Sequence, residues 1–329
     1  MQTKGYDITA IGECLIDFTS RDADTGALFY EGNAGGAPAN VLACAAKMGR
    51  RTAIFSKVGQ DRFGDFLEET LSSTGIDTSG LIKSTDYPTT LAFVSLDPTG
   101  NRSFRFYRKG TADIHLTADE VDMKKLSDTR IFHFGSVSMT AEPFRSTTFA
   151  AAEKAGTAGA KISFDPNLRE LMWDSLQDAK EQILQGIAFA DYVKLSEEEL
   201  IFLTDGIDLR QRMLSLFHKN HMSLLIVTLG PGGCICLYKD NFYDSYAYDV
   251  PCVDTTGAGD AFWGMALHVI LEHNSGEWNQ DGIVNLLRLA NAAGSLTTTR
   301  KGAIAGIPTL QEIQHCISHV PLLKVASKP

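Results

Sequence analysis

The feature of this 329-residue chain that most restricts its fold is an alternation of short β-branched runs with longer segments of helical periodicity. This alternation is typical of βαβ units and a mainly parallel sheet, so the predicted fold class is α/β. The runs predicted as strands are Tyr6–Ile11, Thr52–Val58, Ile131–Gly135, Lys161–Asp165, Tyr192–Ser196 and Ser223–Leu229. The segments predicted as helices are Ala37–Lys47, Phe63–Thr74, Pro143–Ala155, Ser175–Ala188, Leu209–Asn220, Gly282–Thr298 and Thr309–Ser318.

Two stretches interrupt the alternation, because Leu15–Tyr30 and Leu81–Arg108 have strand patterns without helices. The second folds back at Pro98–Asn101, which has the composition of a turn. No Pro-rich or Ser-rich linker separates either stretch from the rest of the chain. We therefore expect one domain over 1–329, with a small sheet inserted at about 15–30 and 81–108.

Composition excludes several classes of partner. The net charge of −10 disfavours nucleic acid and anionic membrane surfaces, and no run of 18 apolar residues could span a bilayer. The cytoplasm is the expected location. The six cysteines form no C-x-x-C pair and the eight histidines form no H-E-x-x-H motif, which disfavours a zinc hydrolase.

The most informative motif is the segment Asp254–Phe262, DTTGAGDAF. Its glycines open a helix, where the free N–H groups of Gly257, Ala258 and Gly259 and the helix dipole would form an anion hole. Asp260 lies at the edge of this anion hole. Because a carboxylate repels a phosphate, an Asp at this position indicates a role in proton transfer. Phosphoryl transfer needs both donors for the transferred group and a base for the attacking hydroxyl. The alternative is a plain helix cap with Asp in its first turn.

The motif DTTGAGDAF resembles the C-terminal signature of the ribokinase-like (PfkB) carbohydrate kinases. Gly32–Asn40 resembles their N-terminal glycine motif, Lys57–Gly64 resembles the segment after it, and the similarity runs from about Ile8 to Pro308. The resemblance implies a three-layer sandwich with a mainly parallel central sheet and a small β-sheet lid. It also implies ATP and Mg²⁺ as cofactors, a monosaccharide substrate and Asp260 as catalytic base.

The resemblance assigns roles around the sugar. It places Asp17, Gly35, Gly36 and Asn40 against the sugar hydroxyls and ring. Asp165 ends a predicted strand and Asn167 follows it, at the ligand-binding edge of the sheet, where both would help to place magnesium, sugar or phosphate. Arg169 would be the cation for the transferring phosphoryl group. The alternatives are a solvated loop carboxylate at position 17 and an ordinary Pro-containing turn around Arg169.

A second group of residues would bind the nucleotide and its cations. Lys194 and Glu199 match positions near the phosphates, although Ser196 departs from the N-x-x-E motif of the family and S-x-x-E is also a capping box. The remaining nucleotide positions are Thr228, Gly230, Gly233 and Asn291. Asp254 and Thr256 match a monovalent-cation site that would suit K⁺, although Gly306 stands where ribokinase has a hydroxyl ligand.

Within the family, five segments resemble bacterial fructokinases: Gly12–Phe18, Thr90–Asp97, Phe104–Arg108, Thr111–Asp113 and Lys194–Ser196. This resemblance implies that Phe106 and Arg108 line the sugar pocket. Kinases of aminoimidazole riboside or 2-keto-3-deoxygluconate are the near alternatives, and a non-catalytic sugar-binding regulator is the alternative of another class. Leu91–Leu96 is apolar on both faces, and Phe104 and Phe106 on the returning strand add aromatic area. We therefore expect a homodimer joined through the lid.

Overall fold

The computed structural model describes residues 4–21, 28–96, 102–273 and 277–323. Its strands are β1 (Tyr6–Ile11), β2 (Leu15–Arg21), β3 (Phe29–Gly35), β4 (Thr52–Gly59), β5 (Ile76–Ser84), β6 (Thr90–Leu96), β7 (Arg102–Tyr107), β8 (Thr129–Phe134), β9 (Lys161–Phe164), β10 (Tyr192–Ser196), β11 (Leu224–Thr228), β12 (Cys234–Tyr238) and β13 (Asn241–Ser245). Its α-helices are α1 (Ala37–Lys47), α2 (Arg62–Ser73), α3 (Met123–Ser127), α4 (Phe144–Thr157), α5 (Leu176–Phe189), α6 (Glu197–Leu203), α7 (Leu209–Lys219), α8 (Ala258–Glu272), α9 (Gln280–Thr297), α10 (Ala303–Gly306) and α11 (Leu310–His319).

The central sheet has nine strands in the order β13-β12-β11-β10-β9-β8-β1-β4-β5. Neighbours from β11 to β5 pair in parallel, whereas the β12–β13 hairpin at one edge is antiparallel. The carboxyl ends of the parallel strands therefore meet at one edge, where open α/β sheets bind ligands. The α/β class and the mainly parallel sheet predicted from the sequence are confirmed.

Helices cover both faces of the central sheet, which makes three layers. Successive strand residues enter different cores: Ile226 belongs to the core that also contains residues of α1, α8 and α9, whereas Val227 belongs to the core that contains residues of α4, α5 and α7. Because both faces are buried, the parallel strands are apolar almost throughout. No helix among the described residues has the length and apolar character needed to cross a bilayer.

The lid is a second sheet of four strands in the order β3-β2-β6-β7. Its predicted bounds need two corrections. Strand β5 pairs in parallel with β4 and buries Leu81 in the main core, so the second lid segment begins at Thr90 and not at Leu81. The first segment continues through β3 to Gly35. The turn predicted at positions 98–101 lies outside the described residues.

Helix ends follow local capping chemistry. Asp61 precedes α2 and its carboxylate accepts the N–H groups of Phe63 and Gly64, so the helix begins before the predicted residue. The capping box predicted at Thr309 and Glu312 is present at the start of α11. All six cysteines are free thiols, and Cys252 is the exposed one.

Candidate active site

Helix α8 begins with the predicted glycine motif. Gly257 has φ 76° and caps the helix in the left-handed conformation. A Cβ atom at this position would lie 2.5 Å from the Cβ of Ala303 and 2.8 Å from its Cα, so no side chain fits. The first backbone N–H groups of a helix lack intrahelical acceptors and carry the positive end of its dipole. The start of α8 thus has the shape and polarity of an anion-binding site.

Asp260, in the first turn of α8, is buried at the bottom of a cleft. The side-chain N–H of Asn40 donates to its Oδ2 at 2.8 Å. Burial, together with the negative charge of Asp165, raises the pKa of Asp260 to about 6, although Asn40 and Lys194 act in the opposite direction. A carboxylate with this pKa is ionised at neutral pH and is a stronger base than a solvated Asp.

Lys194 and Asp165 form a buried ion pair beneath the helix, with the Lys194 Nζ 2.6 Å from the Asp165 Oδ2. Although burial alone would lower the pKa of Lys194, the carboxylates of Asp165 and Glu199 hold it above its ordinary value. The Nζ lies 3.3 Å from where a Cβ of Gly259 would be. The anion-binding end of α8 therefore has a fixed positive charge under it.

Glu199 is held by backbone donors at the start of α6. Its Oε1 accepts the N–H of Leu168 at 2.7 Å, and its Oε2 accepts the N–H of Ser196 at 2.8 Å. The Ser196 hydroxyl accepts the Glu199 N–H in return, which completes a capping box. Glu199 thus joins the end of β10 to the 165–169 segment, so it has a structural role whether or not it also binds a cation.

One cavity of about 300 Å³ lies between the lid and the carboxyl edge of the sheet. Burial raises the pKa of Asp17, on the cavity side of β2, to about 7, while Arg169 acts to lower it. The residues that line this cavity are Glu13, Leu15, Asp17, Gly36, Ala37, Asn40, Phe106, Val137, Asn167, Arg169, Met172, Lys194, Thr255, Thr256, Gly257, Gly259 and Asp260. The sequence predicted most of its polar members.

Glu13 fixes the glycine loop on one side of this cavity. Its Oε1 accepts the N–H of Ala37 at 2.9 Å at the start of α1. Gly36 has φ 121°, and a Cβ there would lie 2.2 Å from the Glu13 carbonyl oxygen, so only glycine is compatible with this turn. Gly35 is not among the lining residues but abuts Asp17, since a Cβ on it would lie 2.2 Å from the Asp17 Oδ2.

Two predicted pocket residues behave differently. Phe106 lines the cavity, because β7 pairs it with Ala92, and Ala92 pairs with Asp17. The prediction for Arg108 needs a correction, because Arg108 does not line the cavity and its guanidinium binds other protein groups. The Nε donates to Asp113 at 2.6 Å, and one terminal nitrogen donates to the Val137 carbonyl oxygen at 3.0 Å. Arg108 therefore shapes the cavity from behind.

A second cavity of about 350 Å³ lies on the other side of the α8 N-terminus. All four residues predicted for the nucleotide beyond Lys194 and Glu199 line it. Its lining residues are Thr228, Gly230, Pro231, Gly233, Ala247, Tyr248, Val250, Cys252, Thr255, Ala258, Gly259, Phe262, Asn291, Gly294, Ser295, Thr298 and Leu323. Thr255 and Gly259 line both cavities, so the two cavities meet at the glycines.

Asp254 and Thr256 lie just before these glycines. The Asp254 Oδ1 accepts the N–H and the hydroxyl of Thr256, and the Oδ2 accepts the N–H of Gly302 at 3.0 Å. The carboxylate thus ties the 254–256 turn to the loop before α10. Its oxygens already have protein donors, so a cation there would be an additional partner.

The lining residues that the sequence did not predict include Glu13 and a group around the 246–250 loop. Glu13 follows the carboxyl end of β1 directly, which is a position that a topological argument could have identified. No local motif marks the group around the loop, which comprises Ala247, Tyr248 and Val250 in the loop and Leu323 after α11. They reach the cavity through the packing of the 246–250 loop and the last described residues.

The comparisons with known proteins agree with this geometry. The family model described as "pfkB family carbohydrate kinase" matches residues 6–310. Fructokinase-1 of Zea mays is 42% identical over 316 residues, which cover 94% of this chain and 97% of that protein. The crystal structure of a Xylella fastidiosa fructokinase with bound ATP superposes with a TM-score of 0.87 at 32% identity, covering 95% of this chain and 98% of the other.

A third relative is a double mutant of the Vibrio cholerae O395 fructokinase, solved with fructose, ADP and a potassium ion. It has a TM-score of 0.83 and 32% identity, and the match covers 96% of this chain and all of the other. The family match spans the lid, α8 and every residue that lines the two cavities except Leu323. This chain belongs to the pfkB family of carbohydrate kinases and is a phosphotransferase that acts on an alcohol group.

Proposed function

We propose that this protein is an ATP-dependent fructokinase that converts fructose to fructose 6-phosphate. The observation that carries the proposal is the pair of cavities that meet at Thr255 and Gly259, with Asp260 on the lid side. Relatives named fructokinase cover nearly the whole chain, and solved ones contain ATP or fructose with ADP. This supports the lid-side cavity as the sugar site and the other as the nucleotide site.

In the proposed reaction, Asp260 accepts the proton of a primary sugar hydroxyl. The hydroxyl oxygen attacks the γ-phosphorus, the bond to the β–γ bridging oxygen breaks, and ADP leaves with that electron pair. Gly257, Gly259 and Arg169 line the lid-side cavity, and the two glycine N–H groups and the Arg169 guanidinium would offset the charge of the transferring group. The prediction for Ala258 needs a correction, because its N–H already donates to the Thr255 carbonyl oxygen at 3.3 Å. Lys194, buried beneath Gly259, adds a fixed positive charge.

We propose that Asp17, Gly36 and Asn40 hold the sugar. The Asn40 Oδ1 is buried and, among the described residues, has no hydrogen-bond partner, while its Nδ2 binds Asp260. A sugar hydroxyl would supply the missing donor and would bring itself next to the base. Asp17 offers a carboxylate to neighbouring hydroxyls, and Gly36 permits close approach of the backbone.

Magnesium fits this site as a hydrated ion. Among the described residues no group of three His, Cys, Asp or Glu side chains could hold a metal alone. The Oδ1 of Asp165 is buried and has no hydrogen-bond partner among the described residues. Mg²⁺ ordinarily keeps several waters when it binds phosphates. Asp165 and Glu199 would hold it, with water between, and the bound ion supplies positive charge to the phosphate oxygens.

Potassium at Asp254 and Thr256 is a further proposal, supported by the potassium ion named for the Vibrio relative. Backbone carbonyls near Gly302 would have to complete the site. We expect a higher rate in potassium chloride than in tetramethylammonium chloride at equal ionic strength, and equal rates would count against a functional ion. The cytoplasmic location stays a prediction.

A substrate panel tests the proposed function. With Mg-ATP, the kcat/KM for fructose should exceed that for ribose, aminoimidazole riboside, 2-keto-3-deoxygluconate, adenosine and glucose by about tenfold or more, because unpaired buried polar groups reject analogues. A tenfold preference for another sugar would leave the family assignment intact and exclude fructokinase. No turnover of any sugar would favour the non-catalytic regulator.

We also propose a homodimer joined through the outer face of the lid. On this face Phe18 stacks on Phe93 with ring centroids 5.0 Å apart, and Tyr30 and Tyr107 pack edge-on against Phe93. Tyr107 remains 57% exposed, and an exposed aromatic cluster of this kind marks an interface. The side chain of Phe104, which the sequence analysis assigned to this face, lies outside the described residues. Phe106, which the sequence analysis also assigned to the dimer contact, faces the cavity instead.

Light scattering tests this dimer. We expect the wild-type chain at micromolar concentration to be dimeric and Tyr107→Lys to be monomeric, because a charge would be buried between two apolar faces. Phe189→Lys is the matched control, since Phe189 is a partly exposed aromatic residue on α5, outside the lid. A monomeric wild type, or a dimeric Tyr107→Lys protein, would refute the proposal.

A further inference from the structure

The last described residues, 321–323, form a short C-terminal strap beside the nucleotide cavity. Leu322 makes an antiparallel bridge with Tyr248. On either side of this bridge, the N–H of Leu323 donates to the Ala247 carbonyl oxygen at 2.8 Å and the N–H of Asp249 donates to the Pro321 carbonyl oxygen at 2.9 Å. The strap is thus held to the 246–250 loop by paired backbone hydrogen bonds.

The loop that carries the strap is itself fixed to helix α9. The N–H of Tyr248 donates to the Ser295 hydroxyl at 3.0 Å, and the Tyr248 side chain is buried. Helix α11, which leads into the strap, is anchored to the same core through Ile313 and Cys316. Helix α9, the loop and the strap therefore form one continuous wall of the cavity.

The two leucines of the strap have different surroundings. Leu323 lines the nucleotide cavity together with apolar side chains such as Val250 and Phe262. Leu322 does not line it and is 47% exposed. This difference follows from the alternation of side chains in an extended segment. Leu323 therefore presents apolar surface to a ligand, whereas its neighbour presents its side chain to solvent.

The chemistry of the cavity indicates which part of a nucleotide this surface would meet. The charged phosphates belong at Gly259, where the cavity adjoins the positive end of α8. An apolar side chain gains nothing from a phosphate or a ribose hydroxyl, but it does gain from covering the flat face of a purine. Ser295 and Asn291 on α9 supply polar groups for the edge of the base.

We propose that Leu323 is a binding residue for the base of the nucleotide and that the C-terminal strap closes this side of its cavity. The proposal rests on the proposed function of this cavity as the ATP site. The proposal makes the segment after α11 a part of the substrate-binding machinery, although no sequence motif identifies this segment.

Adjacent variants test the proposal. Leu323→Ser should raise the KM for ATP and the Kd for ADP, measured by calorimetry, by about 5- to 20-fold, because partial burial of a leucine is worth about one to two kcal/mol. Its kcat at saturating ATP and its KM for fructose should stay within about twofold of wild type, since the strap is not at the sugar cavity. Leu322→Ser is the matched control and should bind ADP like wild type, and Leu323→Met should restore most of the affinity.

The outcomes separate the strap from the proposed function. A Leu323→Ser protein that binds ADP as tightly as wild type, or a Leu322→Ser protein with the same loss, would overturn the role of Leu323. Thermal unfolding shows whether Leu323→Ser is folded. If it is not, Leu323→Ala replaces it in the same comparison. A wild-type protein that binds no ADP would contradict the nucleotide site itself.

Discussion

Replacing Asp260 by Asn should lower kcat for fructose phosphorylation by about 10²–10⁴-fold, which is the usual contribution of a positioned base. Asn has nearly the same shape as Asp but cannot accept the proton of the sugar hydroxyl. The side chain of Asn40 can still pair with the new amide oxygen, so the fold and fructose affinity should stay close to wild type. Steady-state kinetics at saturating ATP and fructose measure the effect.

Asp208→Asn is the matched control for this prediction. It removes the same charge at the N-cap of α7, where the Asp208 carboxylate accepts the N–H of Gln211 and where Asn caps equally well. Its kcat should equal that of wild type. If Asp260→Asn kept most of its kcat, the base would lie elsewhere and the assignment of the α8 N-terminus would be wrong.

Replacing Gly257 by Ala should lower kcat by about 10²–10³-fold, comparable to the loss of one oxyanion-hole donor. The new Cβ would overlap Ala303, whose Cα would be only 2.8 Å away, so the start of α8 must move. A displaced helix start no longer directs its N–H groups at the phosphoryl group. A left-handed Ala also costs about 1–2 kcal/mol of stability.

Gly49→Ala separates these two effects. Gly49 also has a left-handed backbone, with φ 84°, but a Cβ there meets no atom within 4 Å. This control should lose similar stability, read from Tm, while keeping its kcat. A Gly257→Ala protein as active as Gly49→Ala would show that the glycine is needed for the turn alone and that the anion hole is not at this position.

The sequence predicted six of the nine strands of the central sheet, β1, β4, β8, β9, β10 and β11, because their signals are local. The parallel strands are short apolar runs and the helices have regular periodicity, so β1, β10 and α1 have the predicted bounds. The end of the edge strand β5, Leu81–Ser84, was predicted as part of the lid, because an edge strand carries no signal that says which sheet it joins. Strand β5 joins the central sheet because its pairing with β4 buries Leu81 in the main core.

The candidate site likewise contains residues that the sequence predicted and residues that it could not predict. Asp260 and its glycines form one contiguous motif whose chemistry can be argued from residue type, and the cavities do meet there. Arg108 could not be placed from the sequence, since its side chain is directed by Asp113 and Thr140 and not by its own strand. Leu323 belongs to no motif, because it reaches the cavity through the packing of the last described residues.

The pH dependence of single-turnover phosphoryl transfer tests the central claim, that Asp260 is the base, most directly. The raised pKa of Asp260, about 6, means that the base is available above that pH and is lost as pH falls through it. Asp17, whose pKa is about 7, titrates in the same range, so fructose must be saturating at every pH to keep its binding out of the measured rate. Under these conditions, with Mg-ATP also saturating, the wild-type rate should fall about tenfold per pH unit below the pKa of Asp260, while the slow Asp260→Asn rate should be flat there. An Asp260→Asn protein with the same acidic decline as wild type would contradict the claim.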